Sequence, residues 1–327
     1  MAFSETLLSV EGLRVQFDTS RGLLQAVNSA SFNVRRGEIY GIVGESGSGK
    51  SVTAMSIIRL LPPYARIVSG KIMFKGRHLL DLDDREIRAI RGKDISMIFQ
   101  DPQTSFDPLF TIANQIGEAV RIHRKMGSKE LNEHIVRLIH GVGIPEPEIR
   151  KDQYPHQFSG GMKQRAMCAM ALSNTPGLII ADEPTTALDV TIQAQVMELF
   201  KDLSRNSGLS ILLITHDMGL IAEACDRVSV MYAGFVIETA DVFALFKHPR
   251  HPYTKSLIES IPRLDKDEEV LSSIPGRAPN PLHLPPFCVF RQRCAYSTDL
   301  CSGSMPQLLE AEESHWVACC RVQKREI

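Results

Sequence analysis

The sequence predicts an α/β fold, with a helical block inserted into it and a short module appended at the C-terminal end. Three observations carry that prediction. Apolar β-type runs open the chain and return late in it, a Gly-rich loop stands between one such run and a helix, and the texture of the chain changes near residue 247.

Residues 7–17, 26–34, 38–43, 71–74 and 95–99 read as strands, each broken off by Gly, Asn or charged turns. Residues 52–61 suit a helix, ended by Pro62-Pro63. From residue 112 the period lengthens. Ile112, Ile116 and Val120 fall four apart, and Leu131, Ile135, Leu138, Ile139 and Val142 follow helical spacing. Helical character resumes after Ser159, and short apolar runs at 178–181, 210–215 and 228–232 read as buried strands. His248-Pro249-Arg250-His251-Pro252 is a turn-rich junction, and the charges at 265–269 suit a solvated face. Five prolines between Pro275 and Pro286 exclude a continuous helix or central strand. These shifts predict one domain over 1–246, with a helical subdomain at about 101–175, and an extension over 247–327.

With 327 residues, 43% hydrophobic and 23% charged, the chain has the composition of a globular protein with a full core, not of a disordered or fibrous one. Lys and Arg number 37 against 38 for Asp and Glu, so no global basic field points to nucleic acid. No apolar run approaches the roughly 20 residues that span a bilayer, and the N-terminal segment lacks the marks of a signal peptide. A soluble protein that meets a membrane only through partners is the expectation.

Gly44-Glu45-Ser46-Gly47-Ser48-Gly49-Lys50-Ser51 matches G-x-x-x-x-G-K-[ST] in the strand–loop–helix context the motif requires. Its glycines let successive backbone N–H groups point at phosphate oxygens, and the helix N-terminus adds positive potential. Lys50 then reaches the β- and γ-phosphates, and the Ser51 hydroxyl ligates Mg²⁺. The run at 178–181 delivers Asp182 and Glu183 at a strand end. Asp182 is expected to hold Mg²⁺ through water, and Glu183 to polarise the attacking water as general base. His216 ends another apolar strand, where a histidine taken alone is more often a structural hydrogen-bonder than a γ-phosphate contact.

Beside these sites stands Phe158-Ser159-Gly160-Gly161-Met162. The whole set resembles the ATP-binding subunit of an ABC transporter along nearly the full chain. The family signature is usually LSGGQ; here Ser-Gly-Gly is intact and the flanking Leu and Gln are replaced. The resemblance implies a P-loop NTPase fold with an ABC-type nucleotide-binding domain, an inserted helical subdomain and a C-terminal Cys-rich extension. It also implies roles. Gln100, in Ile98-Phe99-Gln100-Asp101-Pro102, is similar to the Q-loop glutamine that links Mg²⁺ and attacking water to the membrane partner. Ala187-Leu188-Asp189 resembles the D-loop, which runs across a dimer seam. His216, in Ile214-Thr215-His216-Asp217, resembles the switch histidine. Phe17 sits where the family places an aromatic ring against adenine, although an ordinary strand Phe would read the same. Ser159 and the N–H groups of Gly160 and Gly161 would bind the γ-phosphate held by the phosphate loop of a second subunit, so that ATP is sandwiched in a dimer.

Five of the seven cysteines crowd into the tail. Cys288-x5-Cys294-x6-Cys301-x17-Cys319 follows His248-Pro249-Arg250-His251-Pro252-Tyr253-Thr254. The combination resembles the C-terminal extension of the dipeptide/oligopeptide importer branch, which also includes nickel importers. Four thiolates suit an iron–sulfur cluster or a structural Zn²⁺. Gaps of five and six residues exceed the usual zinc knuckle and, with the branch's known members, favour a structural [4Fe–4S] cluster. Cys320 neighbours the fourth position, and Cys168 and Cys225 read as small core residues.

The resemblance thus implies an ATP-hydrolysing subunit that powers uptake of di- or oligopeptides. Nickel or another small solute is the alternative cargo, and a non-transport ABC ATPase is the alternative of another class. The implied partners are a second, different ABC ATPase subunit, two transmembrane permease chains and a periplasmic or extracellular solute-binding protein. The implied location is peripheral, on the cytoplasmic face of the inner membrane, with Ser105, Phe106, Asp107 and Pro108 toward the permease.

Overall fold

The computed structural model describes residues 5–101, 105–186, 189–261 and 274–327. Pro102, Ala187, Leu188 and the charge cluster at 265–269 lie outside the described residues. In chain order the elements are β1 (Thr6–Thr19), β2 (Gly22–Arg35), β3 (Ile39–Val43), α1 (Lys50–Ile57), β4 (Ala65–Phe74), β5 (Arg77–His78), α2 (Asp84–Ile90), β6 (Ile95–Ile98), α3 (Ile112–Arg121), α4 (Ser128–Gly141), α5 (Pro147–Arg150), α6 (Gly160–Leu172), β7 (Leu178–Asp182), α7 (Val190–Ser207), β8 (Ser210–Thr215), α8 (Met218–Ala224), β9 (Arg227–Tyr232), β10 (Phe235–Asp241), α9 (Val242–Lys247), α10 (Pro252–Glu259), β11 (Leu309–Glu312), β12 (His315–Val317) and α11 (Cys320–Gln323). Among the described residues no helix is long and apolar enough to cross a membrane.

The described chain forms two compact units. The first holds residues 36–39 and 81–214. Its strands β6, β7 and β8 pair in parallel, with Ile95 opposite Leu178 and Ile179 opposite Ile211. Every residue of β7 and β8 is buried, which is why both read as continuous apolar runs without alternation. The helical block opens with two separate helices, α3 and α4. Thr111 caps α3 by accepting from the Asn114 N–H (3.3 Å), and the chain leaves helical order between α3 and α4. The predicted stripes are the buried faces: Ile112, Ile116 and Val120 on α3, and Leu131, Ile135 and Ile139 on α4. Each fully buried Ile contributes roughly 1.5–3 kcal/mol by leaving water.

The second unit holds residues 5–35, 40–80 and 215–327. In it β2, β1, β4 and β5 form an antiparallel sheet in that order, with Val15 opposite both Val27 and Ile67. Separately, β3 pairs in parallel with β9, and β9, β10, β12 and β11 continue antiparallel. The helix after the phosphate loop stops at Ile57 instead of running to residue 61, because Arg59 adopts φ 52°, outside the helical region. The tail shares one core with the strands before it: Cys288, Val289, Phe290 and Cys301 are buried with Val230, Ile237 and Tyr253.

Candidate active site

Strand β3 is buried throughout and hands the chain to Gly44. A Cβ on Gly44 would lie 2.1 Å from the Met231 carbonyl oxygen. One on Gly49, at φ 100°, would lie 2.5 Å from that of Ala26. Only glycine lets neighbouring backbone approach this closely. Lys50 is buried and folds back on the loop, its Nζ donating to the carbonyl oxygens of Gly44 (2.8 Å) and Glu45 (3.0 Å). The Ser48 hydroxyl is buried without a hydrogen-bond partner, while Ser46 and Gly47 are exposed and Ser51 is half-buried on the first turn of α1. An ammonium group resting on carbonyls and an unpartnered hydroxyl, inside a glycine cradle at a helix N-terminus, fit an anion rich in oxygen. In the same unit Phe17 stands with its ring 5.9 Å from that of Tyr64, tilted by 55°. Tyr64 is an aromatic that sequence reasoning misses, since it lies outside every strand run.

Strand β7, also buried throughout, ends at Asp182, and Glu183 follows at φ 47°. That left-handed conformation costs a non-Gly residue on the order of 1 kcal/mol or more. The Glu183 N–H donates to the Ile214 carbonyl (2.8 Å), and its Oε2 accepts from Gln100 Nε2 (2.9 Å) and Thr186 Oγ1 (3.0 Å). Gln100 and Glu183 therefore meet directly. Thr186 is a second missed residue; a hydroxyl three positions past Glu183 is the signal that finds it. In the other unit, His216 is exposed immediately after β8, and Asp217 caps α8 by accepting from Gly219 N–H (2.7 Å) and Leu220 N–H (3.3 Å).

Ser159 is the N-cap of α6, its hydroxyl accepting from the Met162 N–H (3.3 Å). Ser159 and Gly160 are exposed, and a Cβ on Gly161 would meet Ile192 at 2.8 Å. Asp189 likewise caps α7, accepting from the Ile192 N–H (2.9 Å). Cys168 lies inside α6, and burial pushes its thiol up to about 12, as suits an inert core residue.

The histidine–proline segment of the tail acts as a strap on β10. The fully buried Glu238 accepts from the N–H groups of Arg250 (2.7 Å) and His251 (2.9 Å) and pairs with His315 Nε2 (2.7 Å). His251 caps α10 by accepting from the Tyr253 N–H (3.0 Å), and burial pulls its pKa down to about 4, opposed by Glu238. Tyr253 in turn accepts from the Glu45 N–H (3.0 Å), inside the phosphate loop.

Cys288, Cys294, Cys301, Cys319 and Cys320 line one cavity. The structure nevertheless gives no support to an iron–sulfur cluster or Zn²⁺ there. Among the described residues no three Cys, His, Asp or Glu side chains are grouped so as to hold an ion. Burial pushes the Cys288 thiol up to about 12 and Cys320 to about 11, and raises Cys294 and Cys319. The sulfur of Cys320, which adjoins the expected fourth ligand Cys319 in the chain, lies 3.7 Å from that of Cys301.

Residues 27–186 match the family model described as ABC transporter, and residues 237–301 match that of the oligopeptide/dipeptide transporter C-terminal region. The dipeptide transport ATP-binding protein of Bacillus subtilis is 50% identical over 316 residues, which cover 96% of this chain and 94% of that one. Its counterpart from Escherichia coli is 45% identical over 92% of both chains. A solved dimeric ATP-binding cassette, in a post-hydrolysis state bound to ADP and Pi, matches with TM-score 0.65 and 26% identity, over 72% of this chain and 98% of that one.

Proposed function

This chain belongs to the ABC transporter family of ATP-binding proteins, and on that premise we propose that it is the ATP-hydrolysing subunit of an importer of di- or oligopeptides. The observation that carries the proposal is the phosphate loop, with Lys50 folded onto the carbonyls of Gly44 and Glu45 beside an unpartnered Ser48 hydroxyl. Relatives named for dipeptide transport, matching along nearly the whole chain, support the cargo class.

In this reading the backbone of residues 44–49 and Lys50 hold the β- and γ-phosphates, while Phe17, with Tyr64, offers rings for the base. Ser51, Gln100 and Asp182 would hold Mg²⁺, which neutralises charge on the phosphates when bound. Glu183 takes the proton of the attacking water, oriented for it by Gln100 and Thr186. His216 contacts the γ-phosphate. Ser159, Gly160 and Gly161 serve the nucleotide of a second ATPase subunit, with Asp189 at the seam; the dimeric cassette to which this chain is similar supports that arrangement.

Two permease chains and a solute-binding protein complete the importer, which places this subunit peripherally on the cytoplasmic face of the inner membrane. Residues 105–110 suit a permease contact, although Phe106, one of the expected contact residues, is buried. Gln115 ties them down by accepting from the Asp107 N–H (2.9 Å) and donating to the Phe110 carbonyl (2.9 Å), yet Leu109 and Phe110 stay 78% and 51% exposed. Two segments, 1–246 and 247–327, correspond to motor and extension, and the helical subdomain spans about 101–175.

The finer reading of the tail, a [4Fe–4S] cluster, rests on the cysteine spacing of the sequence alone. Iron and labile-sulfide analysis of anaerobically purified protein tests it, and absence of iron leaves the cavity as packed thiols. The main proposal is tested by ATP hydrolysis in the complex reconstituted with the permease pair and binding protein. Stimulation by dipeptide is expected. Stimulation by nickel alone moves the cargo to metal, and turnover indifferent to the permeases removes the transport reading.

A further inference from the structure

We propose that Arg293, carried on the cysteine-bearing tail, is a positioning residue of the phosphate loop: its guanidinium neutralises and fixes Glu45 so that the loop admits a triphosphate. The inference rests on the assignment of residues 44–51 to ATP and adds to that site a residue 248 positions further along the chain.

The contact is a fork. Arg293 Nη1 donates to Glu45 Oε2 at 2.8 Å and Nη2 to Oε1 at 2.9 Å, two parallel bonds of the geometry that distinguishes arginine from lysine. This is not a loose surface pair. The Arg293 side chain is 7% exposed. Its Nε donates to the Pro275 carbonyl (2.8 Å), Nη2 also reaches that of Ile274 (3.3 Å), and Nη1 reaches the Tyr232 hydroxyl (3.2 Å). The guanidinium lies over the rings of Tyr232 and Phe290, 5.7 and 6.0 Å from their centroids. Its position is therefore set by the packing of the tail.

Glu45 is gripped at three points. Its N–H donates to Tyr253, its carbonyl accepts from Lys50, and its carboxylate is held by Arg293. A carboxylate in a loop built for a triphosphate is electrostatically unfavourable to that ligand unless a cation compensates it. Arg293 supplies that charge and, by holding both carboxylate oxygens, keeps the side chain turned to the tail and the loop backbone in one shape. The tail thus completes the nucleotide site.

The test is charge rescue in the full-length protein. ATP affinity is measured by titration calorimetry with EDTA present, so that turnover plays no part, and KM and kcat are measured in the assembled transporter. Arg293→Ala is expected to raise Kd about tenfold, the effect of about 1.4 kcal/mol, and to raise KM with little change in kcat. Combining it with Glu45→Gln removes the charge that needs neutralising, and is expected to bring Kd back to within about threefold of the starting protein. The Arg293→Ala penalty is expected to shrink at high salt. If Arg293→Ala does not fold, Arg293→Lys keeps the charge without the fork, and an intermediate loss of affinity that Glu45→Gln relieves carries the same meaning. Unchanged affinity in the Arg293 variants overturns the proposal, and so does a double variant as weak as the single one, which would make Arg293 a packing residue only. A starting protein that binds no ATP overturns the assignment of the loop itself, and the clamp with it.

Discussion

The phosphate loop and the acidic turn after β7 are built on the same plan, a buried five-residue strand that ends in a functional turn, and they use it in opposite ways. At residues 44–51 the proposed work falls to the backbone. Glycines bring carbonyls and N–H groups together, and Lys50 reaches only six positions back to Gly44. At Asp182 and Glu183 the proposed work falls to the side chains. Glu183 sits at φ 47° and depends on Gln100, 83 positions away, to orient its carboxylate. The comparison teaches that a glycine cradle can be written locally, whereas a carboxylate such as that of Glu183 is aimed by distant partners.

That contrast can be broken by substitutions on either side. The largest expected effect is Glu183→Gln, which keeps the side chain's size and loses the base. Turnover should fall about a thousandfold, near 4 kcal/mol in the barrier, with ATP affinity nearly unchanged, measured by single-turnover kinetics beside equilibrium binding. Comparable hydrolysis by the variant would take the role of base away from Glu183.

Gly44→Ala should act on the fold instead. Its Cβ would meet the Met231 carbonyl at 2.1 Å, so β9 must shift. A loss of about 4 kcal/mol in urea unfolding is expected.

A pH titration sharpens the dependence of the loop on its support. His251 lies in the strap that ends at Tyr253 and Glu45, and its pKa falls from 6.5 to about 4 on folding. The unfolded chain therefore binds the extra proton first, and this contribution is full above about pH 6.5 and lost as pH falls toward 4. Its size is about 3 kcal/mol. His251→Asn, which retains a capping acceptor, should flatten that part of the stability profile; an unchanged slope would place the titration elsewhere.

The smallest effect is expected at Gly47, where a Cβ would find no atom within 4 Å and only φ 78° resists substitution. Gly47→Ala should cost about 1 kcal/mol of stability. A loss as large as that of Gly44→Ala would show that conformational freedom, not close approach, governs the loop.

Much of this was legible in the residues alone. The apolar faces of α3 and α4 follow from their spacing. The tail was less legible. Cysteine spacing records where sulfurs lie along the chain and not how the fold groups them, so among the described residues the expected metal group finds no support, and Cys320 comes 3.7 Å from Cys301. The histidine–proline segment read as a turn, because its partner Glu238 lies on a strand the alternation did not reveal.

The sequence by itself determined what short-range chemistry determines: the strand–loop–helix at 44–51, the buried stripes, and the Asp-Glu pair at a strand end. Only the tertiary structure decided that Gln100 meets Glu183, that His315 meets Glu238 and that Arg293 meets Glu45, across 83, 77 and 248 positions. A hydrogen bond between neighbours leaves its spacing in the chain, whereas one between distant residues exists only once burial has brought them together.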